Sequence, residues 1–300
     1  MRALLLAAVL LGACGGGETL TRTGKLRVVA TTGMVADLAR VVGGSDVEVT
    51  ALMGAGVDPH LFKASAGDVA RLEQADVILY SGLGLEGKMG DILVKMASTR
   101  PVQAVCEAVP EAERLEPAEL EGHYDPHVWF DVALWAKTTQ SVASALAAAD
   151  PDRREAYAGR AAEYRATLGG LHAEVMAALA QIPRERRVLI TSHDAFRYLG
   201  RAYDLDVRGV QGISTVSDAG VKDIEEVADL IVERGIKAIF VESSVSPRTI
   251  EAVVAAARAK GQEVRIGGEL YSDAMGDAPP EDTYVGMVRA NVRKLVEALR

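Results

Sequence analysis

The tripeptide Asp-Pro-His occurs twice in this chain, and its residue types point to metal chemistry. The two copies are Asp58-Pro59-His60 and Asp125-Pro126-His127. Because proline fixes its own φ and favours an extended conformation in the residue before it, each histidine is predicted to project from a stiff turn. A neutral imidazole is the commonest metal ligand in proteins. The first half of the chain therefore offers His60 and His127 as metal ligands.

The second half offers two more candidates in similar settings. His193 lies in the sequence Thr-Ser-His-Asp, and Asp273 lies in the sequence Tyr-Ser-Asp-Ala. Two ligands from each half predict a metal site between two lobes.

Strand and helix patterns alternate in both halves, which is typical of βαβ units with parallel sheets. The pattern predicts strands at 26–31, 47–50, 76–80 and 102–105, and again at 187–191, 206–210, 238–242 and 263–266. It predicts helices at 34–42, 66–74, 87–97, 132–149, 152–181, 195–202, 218–234, 247–260 and 282–299, with Asp218 as one N-cap. The helix at 152–181 is long enough to connect two lobes.

All four candidate ligands follow predicted strands. His60, His193 and Asp273 lie in loops directly after strands, and His127 follows a polar loop at 107–124. Ligands of open α/β sheets bind at the carboxyl ends of strands. This shared position supports the metal site more strongly than the residue types do.

Other residues of the same types have weaker claims. A lone histidine is usually a surface or packing residue, so we expect His172, inside the long helix, to be one or the other. His123 is expected to be a solvated loop residue, with an auxiliary ligand role as the alternative. The loop at 107–124 carries six glutamates (Glu107, Glu111, Glu113, Glu116, Glu119 and Glu121) and is expected to be solvated and dispensable for tight metal binding.

The bulk composition excludes several classes of protein. The chain has 300 residues, 49% of them hydrophobic, and a net charge of −9. Such a length indicates two domains, and the acidic charge argues against a nucleic-acid partner. No apolar run is long enough for a membrane-spanning helix.

The first residues have the features of a targeting segment. A short apolar stretch ends at Leu11-Gly12-Ala13-Cys14, which resembles the bacterial lipobox. That resemblance implies cleavage before Cys14 and lipidation of its thiol; an ordinary secretory signal is the alternative. Cys106 then remains as a single cysteine, so no internal disulfide is expected.

Five segments of the chain together resemble one known family. Besides both Asp-Pro-His copies, they are Gly212-Ile213-Ser214-Thr215, the run at 240–244 and the run at 267–273. They are similar to motifs of the solute-binding lipoproteins that serve zinc and manganese ABC importers, the TroA-like metal-binding family. The resemblance covers essentially the whole mature chain.

The resemblance implies a fold, a ligand set and a partner. The fold class would be α/β, with two lobes that each hold a mainly parallel four-stranded sheet and are joined by one long rigid helix. The ligands would be His60, His127, His193 and Asp273, and the cargo a divalent metal ion, zinc or manganese. The partner would be the membrane subunits of an ABC permease, approached by a lipid-anchored, extracytoplasmic monomer.

The metal itself stays open at this point. The zinc branch of the family typically has a histidine-rich loop, which is absent here, and the manganese branch often has glutamate where His193 stands. Three imidazoles and one carboxylate suit zinc. A bidentate Asp273 would raise the coordination number toward what manganese tolerates.

Two other functions compete with metal capture. A secreted zinc hydrolase needs an open coordination position and a nearby base, for which Glu242 or Glu269 are candidates, although structural roles are expected for both. A surface adhesin with a structural metal is the second alternative. The expected organisation is a signal peptide at 1–13, a tether at 14–24, lobes at 25–150 and 183–300, and a connecting helix at 151–182.

Overall fold

The computed structural model describes residues 24–120 and 122–300. Cys14, the predicted signal peptide and most of the predicted tether lie outside the described residues. Within the described part of the chain, no helix combines the length and the apolar character needed to cross a membrane.

Four parallel strands form the sheet of the first lobe. Their order is β2-β1-β3-β4, and the ranges are β1 (Leu26–Ala30), β2 (Val47–Ala51), β3 (Val77–Tyr80) and β4 (Val102–Ala104). The helices between them are α1 (Gly33–Gly43), α2 (Ala66–Gln74) and α3 (Gly90–Ala97). The strands β1 and β3 are mostly buried, as expected for central parallel strands.

Two long helices follow the first sheet. They are α4 (Val132–Ala149) and α5 (Arg154–Leu179), and α5 connects the two lobes. The 26 residues of α5 span roughly 39 Å at 1.5 Å per residue. Its buried residues recur every three or four positions, so one stripe of the helix faces the core; they are Tyr157, Ala161, Tyr164, Leu168, Leu171, Val175 and Leu179.

The second lobe contains four parallel strands in two pairs. The pairs are β5 (Val188–Thr191) with β6 (Asp206–Gly209), and β7 (Ala238–Glu242) with β8 (Arg265–Leu270). Its helices are α6 (Arg197–Tyr203), α7 (Val221–Arg234), α8 (Arg248–Ala259) and α9 (Tyr284–Leu299). The α/β fold class with two lobes and a connecting helix is confirmed.

The second sheet differs from the expectation of four continuously paired strands. Strands β5 and β7 lie side by side, but no backbone ladder joins them among the described residues. A side chain joins them instead, since Glu242 at the end of β7 accepts a hydrogen bond from the backbone N–H of His193, just after β5.

The largest of three hydrophobic clusters among the described residues runs through both lobes. Buried side chains of α1, α4 and α5 form a single cluster with those of α9. Tyr284 at the start of α9 donates its hydroxyl to the carbonyl of Trp129, and its backbone N–H donates to Asp37. The lobes are therefore fastened to each other by packed side chains as well as by α5.

Two local expectations are wrong. The helix α7 begins at Val221, after Gly220 as N-cap, and not at Asp218; the backbone N–H of Gly220 donates to Asp223 instead. The last strand extends to Leu270, beyond the predicted 263–266. Its middle is Gly267-Gly268, which lacks the side chains that reveal a strand in a sequence.

The acidic loop is also only partly solvated. Val109 is fully buried, and the side chain of Glu119 forms an ion pair with Arg197 of α6. The backbone N–H of Leu115 donates to the hydroxyl of Tyr198, also on α6. The loop therefore lies against the second lobe.

Candidate metal centre

The structure brings the four predicted ligands together. One ligand atom from each of His60, His127, His193 and Asp273 lies within 4.8 Å of all the others. His60 is 4% exposed and Asp273 2%, and the other two side chains are fully buried.

The spacing of these atoms suits a single ion. The Nε2 atoms of His60 and His127 lie 3.4 Å apart. Nitrogen Nε2 of each histidine also approaches the Asp273 carboxylate, at 3.6 Å for His60, 3.4 Å for His127 and 3.3 Å for His193. Bonds of about 2.0–2.2 Å in a tetrahedron separate the ligand atoms by roughly 3.3–3.6 Å. The four groups therefore surround a volume of the size that a divalent ion needs.

The Asp273 carboxylate points to the same conclusion. Both of its oxygens are buried, and neither has a hydrogen-bond partner among the described residues. His127 approaches one of these oxygens, while His60 and His193 approach the other. A buried carboxylate that accepts no hydrogen bond is costly, so this group favours a cation among the three imidazoles.

Both Asp-Pro-His copies form the same turn. The Asp58 carboxylate accepts a hydrogen bond of 2.8 Å from the backbone N–H of His60, and Asp125 accepts one of 2.9 Å from that of His127. An aspartate that bonds the backbone two residues later is an Asx turn, which fixes the direction of the following side chain. The shared turn explains why the motif occurs twice.

A carboxylate stands behind two of the three imidazoles. Asp125 Oδ1 lies 2.8 Å from Nδ1 of His127, and Glu242 Oε2 lies 2.6 Å from Nδ1 of His193. A carboxylate at this position holds the proton on Nδ1 and leaves the Nε2 lone pair facing the metal. Among the described residues, His60 has no carboxylate ion pair at its Nδ1.

Trp129 ties the candidate ligands of one lobe to those of the other. Its indole N–H donates a 3.1 Å hydrogen bond to the carbonyl of Ser272, the residue before Asp273. Its ring meets the His127 ring edge-on, with centroids 5.2 Å apart. The positions of His127 and Asp273 are therefore coupled through one indole.

The pKa values follow the charges in the cluster. Burial lowers the pKa of His60 to about 4. Burial opposes charge on His127 too, but Asp125 and Asp273 raise its pKa to about 9. Despite burial, Glu242 and Asp273 raise the pKa of His193 well above its ordinary value, and His193 and His127 hold the pKa of Asp273 well below its own. The carboxylates thus demand positive charge, which protons supply when no metal does.

Several other sequence candidates lie elsewhere. His123 is exposed, Glu269 is exposed, and neither belongs to the cluster. His172 lies on α5, with Nδ1 at 3.0 Å from the hydroxyl of Tyr203. Glu242 is engaged with both the backbone and the ring of His193, which leaves it unsuited to act as a base.

Sequence reasoning missed the residues that support the candidate ligands from a distance. The hydroxyl of Thr215 donates a 2.5 Å hydrogen bond to Asp58. Tyr198 donates its hydroxyl to the carbonyl of Asp125 while accepting the N–H of Leu115. These partners are far apart in sequence, so no local pattern pointed to Tyr198. The resemblance included Thr215 in a motif without giving it a role.

Known proteins share both the sequence and the fold of this chain. The chain is 46% identical over 304 residues to the manganese-binding lipoprotein MntA of Bacillus subtilis, and the alignment covers 100% of this chain and 98% of that protein. It is 46% identical over 285 residues to the zinc-binding protein TroA of Treponema pallidum, covering 95% and 92% of the two chains. A solved structure of the periplasmic zinc-binding protein TroA from Treponema pallidum superimposes with a TM-score of 0.89 at 47% identity, covering 92% of this chain and 99% of that one.

A protein-family model matches almost the entire described region. It is described as "Zinc-uptake complex component A periplasmic" and matches residues 28–298. Together with two relatives at 46% identity, this match shows that the chain belongs to the periplasmic component A family of zinc-uptake complexes.

Proposed function

We propose that this protein captures a divalent metal ion, zinc or manganese, between its two lobes and delivers it to an ABC importer. The observation that carries the proposal is the buried cluster of three imidazoles around the Asp273 carboxylate, whose oxygens accept no hydrogen bond from the described residues. Its relatives include one protein named for manganese and one named for zinc. We assign His60, His127, His193 and Asp273 as the metal ligands.

The protein is a binding protein and not an enzyme. The family is that of an uptake-complex component. A zinc hydrolase keeps a coordination position open beside a base. Here four protein side chains converge on one point, and Glu242 is already bonded to His193. These features support capture and release over hydrolysis.

The site suits either of the two metals. Three nitrogens with one carboxylate oxygen complete the tetrahedral set that zinc prefers. Both Asp273 oxygens face the histidines, so a fifth donor is at hand for a metal with a higher coordination number. Release would proceed by loop movement, because α5 and the continuous core restrain the lobes.

Thermal unfolding with and without metal tests the site. Bound metal stabilises the fold by about 4 kcal/mol at a thousandfold excess over Kd. Zinc chloride or manganese chloride should raise the Tm of the wild type, and His193→Ala or Asp273→Ala should remove most of that rise. His172→Ala, on α5, is the matched control and should leave it intact. An equal loss in His172→Ala would contradict the assigned ligand set.

We further propose an extracytoplasmic, lipid-anchored location. Support comes from the lipobox-like sequence that ends at Cys14 and from relatives named as lipoproteins. The permease subunits of an ABC transporter would be the partner of a monomer. Cys14→Ser should release the protein from the membrane fraction without changing its Tm, and continued membrane association would refute the anchor.

The proposed organisation of the chain keeps a signal peptide at 1–13 and a tether at 14–24. The first lobe would comprise 25–150, the connecting segment 151–182 and the second lobe 183–300. The first sheet, α5 and the second set of strands each fall within one of these ranges, which supports the division.

A further inference from the structure

The three histidines of the metal centre are held with unequal strength. His127 and His193 each have a carboxylate at the backbone N–H and at Nδ1, supplied by Asp125 and Glu242. Of these two positions, His60 has a carboxylate only at its backbone N–H among the described residues. It is also the most exposed of the four ligands, and the next residue, Leu61, is 43% exposed. His60 is therefore the ligand that can move out of the site most readily.

A hydroxyl of the other lobe holds the turn that carries His60. Asp58 uses Oδ1 to accept the backbone N–H of His60 and Oδ2 to accept the hydroxyl of Thr215, at 2.5 Å. Thr215 lies in the loop between β6 and α7 and is 6% exposed. The next residue, Val216, is 60% exposed. This hydrogen bond thus lies where the buried site meets solvent.

We infer that Thr215 is a positioning residue that retains the metal, acting through Asp58 on His60. The inference rests on the proposed metal-binding function. While the hydroxyl holds Asp58, the Asx turn keeps the His60 ring directed at the cluster. When this bond breaks, the His60 turn separates from the second lobe and one ligand leaves. The strength of the bond therefore governs how fast metal dissociates, whereas the four ligands govern whether it binds.

The test measures zinc dissociation from the full-length protein, mixed rapidly with an excess of a colorimetric chelator. Thr215→Val keeps the shape of the side chain and removes the hydroxyl. It should accelerate dissociation about tenfold or more, because a hydrogen bond to a charged group is among the stronger ones in proteins. Thr215→Ser restores the hydroxyl and should dissociate at a rate close to that of the wild type. Val216→Ala is the matched control on the same loop and should have no effect.

Two further measurements separate positioning from general support of the fold. The Tm of metal-free Thr215→Val should stay near that of the wild type, because only one hydrogen bond at the surface boundary is lost. In an Asp58→Asn background, Thr215→Val should accelerate dissociation much less than it does in the wild type, because the two side chains act as one unit.

Several outcomes overturn the inference. It fails if Thr215→Val releases zinc at the wild-type rate, if Thr215→Ser is as fast as Thr215→Val, or if the effect persists undiminished beside Asp58→Asn. It also fails if the metal-free Tm falls in proportion to the faster release. In each of these cases the wild type still binds zinc, and the proposed function stands. A wild type that takes up neither zinc nor manganese would overturn both.

Discussion

Replacing Glu242 with glutamine tests how the protein prepares His193 for a metal. The carboxylate of Glu242 faces two donors of His193, the backbone N–H at 2.8 Å and the ring Nδ1 at 2.6 Å. A glutamine side chain has one oxygen and one NH₂ group. It can accept from one of these donors only, and its NH₂ then faces the other. Glu242→Gln therefore either loosens the backbone or favours the tautomer whose Nε2 carries the proton.

The size of the effect follows from this geometry. A hydrogen bond to a charged group contributes about 1.5–3 kcal/mol, and each 1.4 kcal/mol or so is a factor of about ten in Kd. Losing one such bond predicts metal binding weakened by roughly 10- to 150-fold. Residues behind metal-bound histidines generally show losses of about 10- to 100-fold when substituted, which agrees with the estimate.

Competition titration against a chelator of known zinc affinity measures the change. Glu269→Gln makes the same substitution at an exposed glutamate and should leave Kd unchanged. Far-UV circular dichroism should show that both variants remain folded. The tautomer argument would be refuted if the Kd of Glu242→Gln were within about threefold of that of Glu269→Gln, since a threefold change corresponds to only about 0.7 kcal/mol.

Three other predictions follow from residues around the site and in the core. Burial raises the pKa of the Cys106 thiol to about 12, so at pH 8 on the order of one molecule in ten thousand carries a thiolate. A maleimide reagent should therefore label Cys106 only after unfolding, and fast labelling of the native protein would contradict this burial. Tyr198→Phe leaves the N–H of Leu115 and the carbonyl of Asp125 without their shared partner. It should lower the free energy of unfolding by about 1–3 kcal/mol in urea titrations, and an unchanged value would mean that the acidic loop is not anchored by Tyr198. Because Asp125 and Asp273 raise the pKa of His127 to about 9 despite burial, metal binding at pH 7.5 should displace protons, so metal affinity should rise with pH toward 9 and fall in acid. Calorimetry in two buffers of different ionisation enthalpy should then give different binding heats, and identical heats would contradict this linkage.

The elements that position the site were largely predictable, because their signals are local. The alternation of β-branched strands and amphipathic helices predicted α2 and α4 with the bounds that the structure has. The long helix was predicted despite Gly169-Gly170, because its apolar stripe continues on both sides of the pair. The start of α7 was not predicted, since Asp218 and Gly220 are both acceptable N-caps and only the position of Asp223 decides between them.

The residues that hold the candidate ligands in place were less predictable than the candidate ligands themselves. The repeated Asp-Pro-His motif singled out His60 and His127 because each copy is a local turn. By contrast, the hydrogen bonds of Thr215 with Asp58 and of Trp129 with Ser272 join residues more than a hundred positions apart. Such pairs depend on how the lobes are docked, and a single sequence carries no signal of that docking. The partial burial of the acidic loop went unrecognised for the same reason, since Tyr198 receives it from the other lobe.

The continuous core has a consequence for the modularity of this protein. Tyr284, from the final helix, is completely enclosed, and its ring lies 5.5 Å from that of Trp135 in the first half of the chain. Neither half therefore completes its own interior, and a fragment that ends within α5 would expose apolar side chains meant for the other half. Exchange of halves between relatives would succeed only where both sides of this interior change together. We expect new metal preferences to arise by substitutions in the loops, since those segments can vary while the shared interior is preserved.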